Sequence, residues 1–117
     1  MNDSDAARYV TTVLNLYLEL PDTPLRATTQ DRRLAAQLQE RGVDLQVVES
    51  AFLLASVRRL ARPADVPALS PIRSLAYFQP VIEELLSQPA PEGYLAYLRL
   101  KLEQLSRDKL KDQAITR

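Results

Sequence analysis

Residues 45–62, LQVVESAFLLASVRRLAR, constrain the fold more than any other stretch. Wound as a helix they present Leu45, Val47, Val48, Ala51, Phe52, Leu53, Leu54, Ala55, Val57 and Leu60 around most of the circumference. A helix without a polar face is stable only when other elements surround it. Asp44 stands before it as an N-cap. The segment is therefore expected at the centre of a bundle. Two glycines in 117 residues are too few for the tight turns of a sandwich or barrel. The expected class is all-α: a compact bundle of four to five helices around a central hydrophobic third helix.

The flanking helices follow from apolar spacing and from proline. Residues 5–20 place Val10, Val13, Leu14, Tyr17 and Leu20 on one broad face, opposite Arg8, Thr12, Asn15 and Glu19; Pro21 and Pro24 end the run. Residues 29–41 form a second, peripheral helix with a thin stripe of Leu34, Ala35 and Leu38. Thr28 and Asp31 have capping-box spacing, although Asp is a weaker partner than Glu, and Gly42 sits where a left-handed C-terminal cap is wanted. After a linker at 63–69, Ser70-Pro71 predicts the start of a fourth helix bearing Ile72, Leu75, Phe78, Ile82 and Leu85, with Pro80 inside it as a kink. Pro89 and Pro91 precede a fifth, whose seam is Tyr94, Leu95, Leu98, Leu102 and Leu105. The domain is expected to span 1–105, with 106–117 a polar, frayed tail.

Composition removes several chemistries. With no Cys and no His there are no disulfides, no thiolate nucleophile and no imidazole shuttle or ligand. The first eight residues are polar and unlike a signal peptide, and no apolar run approaches the roughly 20 residues that span a bilayer. A cytoplasmic protein without membrane contact is expected. Glu83-Glu84 is the one adjacent carboxylate pair, but helical neighbours diverge by about 100°. No phosphate-binding glycine loop or nucleophile elbow occurs. The reading is non-catalytic, with no cofactor, metal or small-molecule substrate.

Charge is zero overall but blocked: −3 over 1–25, +3 over 26–62, −3 over 63–98 and +3 over 99–117. Distinct acidic and basic faces suit self-association or a mixed partner better than coating of DNA. Arg58, Arg59 and Arg62 end the third helix, Arg58 and Arg62 on the side that carries Val47, Ala51 and Ala55 higher up. Two uses compete for them. Cations at a helix C-terminus gain about 0.3–1 kcal/mol each from the macrodipole, and arginines of this kind also meet phosphate or an acidic partner. The second and third helices have the Gly42 turn of a helix-turn-helix, but the would-be recognition helix is too apolar for a groove, which favours a plain helical hairpin.

The stretch 70–86, SPIRSLAYFQPVIEELL, places Tyr77, Val81 and Leu85 four residues apart. This resembles the Tyr–Ile–Trp pattern of DnaD-like primosomal domains, and residues 9–102 resemble the C-terminal helical region of plasmid-type replication initiators. Leu85 stands where that pattern has Trp, which removes a stacking platform for single strands. The resemblance implies a DNA-replication accessory or initiator-type module that docks to a protein, to DNA or to both, through Arg58, Arg59, Arg62, Arg73 and Tyr77. The alternative, from another class, is an interaction domain with no nucleic-acid role, its partner another protein or a second copy met through the first or fifth helix.

Overall fold

The computed structural model of the chain describes residues 3–63 and 65–115. Five α-helices and no strand occur among them: α1 (Asp3–Leu18), α2 (Thr29–Glu40), α3 (Leu45–Leu60), α4 (Gln79–Ser87) and α5 (Tyr94–Ile115), with a 3₁₀ turn at Leu75–Phe78 before α4. The all-α bundle is as expected, and so is its centre. α3 packs against α1, α4, α5 and the 3₁₀ turn, and its residues 50–56 are all buried. Tyr17, Phe52 and Phe78 bring three rings together at the heart of the core, with centroids 4.9–6.4 Å apart.

Local chemistry sets the α2–α3 hairpin. Thr28 Oγ1 accepts from the Asp31 amide at 3.1 Å while Asp31 Oδ2 accepts from the Thr28 amide at 2.9 Å, so both halves of the capping box form. At the other end Gly42 takes φ +71°, its amide bonds Gln39 and the Val43 amide bonds Leu38. These are the two bonds of a Schellman cap, and buried Val43 supplies its apolar contact. Asp44 then caps α3 through the Gln46 amide at 3.1 Å.

Three expectations need correction. The fourth helix does not begin at Ser70-Pro71. Residues 71–74 form an extended strap instead: the Ile72 amide donates to the Asp22 carbonyl at 2.8 Å and the Leu75 amide to Asp31 Oδ1 at 3.0 Å. These bonds, with burial of Ile72, outweigh the local start signal, and Ser74 does the capping, its Oγ accepting from the Ala76 amide. Pro80 consequently kinks nothing. It lies in the first turn of α4, where its missing amide leaves no hydrogen bond unmade. The polar tail is helical through Ile115, so α5 runs unbroken for 22 residues, about 33 Å.

Candidate functional site

Arg58, Arg59 and Tyr77 are brought to one region, where each is engaged by another group of the chain while Arg58 and Tyr77 stay exposed. Arg58 makes a bidentate pair with Glu84 of α4, at 3.0 and 2.6 Å. That hydrogen-bonded pair raises the Arg58 pKa and lowers that of Glu84. The Arg59 side chain is 8% exposed. Its guanidinium donates to the Ser70 carbonyl (2.9 Å), the Tyr77 hydroxyl (3.2 Å) and the Asp22 carboxylate (3.4 Å), and lies 5.3 Å from the centroid of the Tyr77 ring. Burial works against its charge, yet the bonds to Tyr77 and Asp22 outweigh it and the Arg59 pKa is raised. Arg62 donates to the Pro67 carbonyl at 3.1 Å. These contacts tie the end of α3 to the strap and to α4. Arg73 stands apart from the three, exposed on the strap. The five expected contact residues are therefore not one cluster: Arg73 lies outside the junction that the other four share. Three arginines and one ring form a structural junction.

Asp31 is the residue that sequence spacing undervalued. It is fully buried, and its two oxygens join α2 to the strap through Thr28 and Leu75. The signal was the choice of Asp over Glu. A shorter carboxylate closes the capping box while staying under the strap. The Tyr17 hydroxyl nearby is buried without a hydrogen-bond partner. Burial, with the charge of Asp31 second, pushes its pKa up to about 12.

Among the described residues a groove, a hollow and one face of α5 stand open to solvent. A groove of about 360 Å³ runs between α1 and the approach to α2; Arg26 and Arg32 line it with Leu14, Leu18 and Leu25. A hollow of about 550 Å³ lies where the start of α3 meets residues 89–99. Its one cation, Arg99, is paired with Glu49 at 2.8 Å. On α5, Leu98 is buried against the core while Tyr97 and Leu100, one turn apart on the other side, are 55% and 65% exposed. Among the described residues no three carboxylates gather as a metal site would need, and no helix is long and apolar enough to cross a membrane. No family model, curated protein or solved structure matches the chain.

Proposed function

We propose that this chain is a non-catalytic helical binding module, and that its first partner is a second copy of itself met through α5. The outer face of α5 carries this reading. Tyr97 and Leu100 form a contiguous apolar step, and the Tyr94 ring stacks on Tyr97 at 6.0 Å. Beyond them the helix bears both charge signs, including Lys101, Glu103, Arg107, Asp108 and Lys109. A two-fold antiparallel pairing of such a helix buries the step against itself and sets opposite charges near one another. Scattered exposed apolar residues are ordinary, but here two lie on one face of the longest helix. Light scattering should show a mass that rises above one chain with concentration. Tyr97→Asp combined with Leu100→Asp should hold it at one chain with helicity unchanged. A wild-type protein that stays monomeric at the highest soluble concentration overturns the reading.

A nucleic-acid contact is the second reading. The junction arginines are engaged within the chain; what favours it is the exposed pair Arg26 and Arg32 at the start of α2. Anisotropy titrations with single- and double-stranded DNA test it. Affinity should fall with salt by about 0.9 log units per log unit for each duplex phosphate contacted, or about 0.7 for a single strand. No salt-dependent binding at low ionic strength ends it.

A further inference from the structure

The arginines of this chain divide by side of the molecule. Arg41, Arg58, Arg59, Arg62, Arg99 and Arg107 each hold a carboxylate or carbonyl of the chain itself. Arg8, Arg26, Arg32, Arg33 and Arg73 hold none among the described residues. Two of these five, Arg26 and Arg32, meet at the start of α2, where they line one groove. Arg26 precedes that helix, and Arg32 and Arg33 lie in its first turns. Arg73 sits on the strap between Ile72 and Leu75, whose amides bond Asp22 and Asp31 beside it. Arg8, exposed on α1, lies toward the other end of α2, where its neighbour Tyr9 bonds the Val43 carbonyl. The acidic groups on this side do little to offset them. Asp31 is buried, Asp22 is taken by Arg59, and Glu19 is exposed just past the end of α1.

The groove is also apolar. Buried Leu14 and half-buried Leu18 line it, and Leu25 stands at its edge 96% exposed. No aromatic ring lines it, so it offers bases no stacking platform. An apolar trough between unpaired guanidinium groups matches an extended or helical segment with carboxylates around an aliphatic anchor. We propose that the groove between α1 and α2 binds an acidic peptide segment of a partner protein, one apolar side chain lying on Leu14 and Leu18 and flanking carboxylates meeting Arg26 and Arg32. This surface is distinct from the α5 face and does not depend on self-association.

The probe is a short fluorescein-labelled peptide of alternating Glu and Leu, with the Lys-for-Glu and Ser-for-Leu versions and a single-stranded oligonucleotide as comparators. The acidic peptide should bind and weaken as salt rises, whereas the two altered peptides should not bind. Arg26→Glu with Arg32→Glu should weaken the acidic peptide by about tenfold or more. The same variant should begin to bind the Lys version, a gain that misfolding cannot produce. Leu25→Ser should weaken the peptide severalfold, and Tyr97→Asp with Leu100→Asp should leave it unchanged, so the groove and the α5 reading stand or fall separately. Binding of the acidic peptide that is insensitive to Arg26 and Arg32 overturns the proposal. So does an oligonucleotide that binds through these arginines while the peptide does not.

Discussion

The junction around α1, α3 and the strap and the long helix α5 are held to the molecule in different ways. At the junction three rings meet, Asp31 bridges two segments from a fully buried position, and Arg59 holds three groups in place while nearly inaccessible. Residues joined there are far apart in sequence, 44 positions for Asp31 and Leu75 and 37 for Arg59 and Asp22. α5 is joined to α3 through buried Leu98, with Tyr94, Leu95 and Leu102 partly buried beside it, and by Arg99–Glu49 at the surface. Its Arg107–Glu103 pair is internal to the helix. Buried polar bonds depend on one arrangement of their partners, because leaving any of them unmade is costly. A seam of leucines with exposed ion pairs is less demanding. The junction therefore depends on one arrangement of its groups, while α5 leaves Tyr97 and Leu100 exposed.

The largest test of this contrast is Phe52→Ala, which should cost about 3–5 kcal/mol in denaturant unfolding by emptying the ring cluster. A loss below about 1 kcal/mol would mean that the junction does not organise the core. Asp31→Ala should cost about 3 kcal/mol, since it strands the buried Leu75 amide and opens the capping box together. Asp31→Asn should recover part of that loss, because its amide oxygen still accepts one bond. An Ala variant as stable as the wild type would show that the strap is held by Ile72 alone.

Arg59→Ala and Arg58→Ala sharpen the comparison at neighbouring positions. Arg59→Ala should cost about 2 kcal/mol, through a lost ring contact and the unpaired Ser70 carbonyl and Asp22. Arg58→Ala should hardly move the unfolding midpoint, because its bonds to Glu84 lie in solvent. Equal losses from the two would erase the distinction between buried tie and surface pair.

The smallest effect is at Tyr17. Tyr17→Phe removes a buried hydroxyl that has no partner and should raise stability by up to about 1 kcal/mol at neutral pH. The pH dependence carries the firmer sign. The Tyr17 pKa rises from 10.0 unfolded to about 12 folded, so between those values the folded state holds the proton more tightly. Stability from this group is complete below pH 10 and is lost as pH climbs toward about 12. Tyr17→Phe should flatten that alkaline loss. Tyr9, also raised by burial and then by Asp44, should keep a smaller share of it. An unchanged alkaline slope in the variant would mean that Tyr17 ionises as freely folded as unfolded.

By itself the sequence determined the helices and most of their ends. The apolar girth of residues 45–60, the capping residues Thr28, Asp31 and Asp44 and the Gly42 cap are local signals, legible because their partners lie within a few positions along the chain. Tertiary structure decided what sequence separation hides. A Ser-Pro start signal at 70–71 yielded to an amide bond from Ile72 to Asp22, fifty residues earlier. Pro80 changed from an expected kink to the opening turn of α4 as a result. The arginines show the same division. Sequence places Arg58, Arg59 and Arg62 together on one helix end, but whether a cation is free depends on which carboxylates and carbonyls the fold carries to it. It carries Glu84, Asp22, Ser70 and Pro67 to these three, and, among the described residues, none to Arg26 and Arg32.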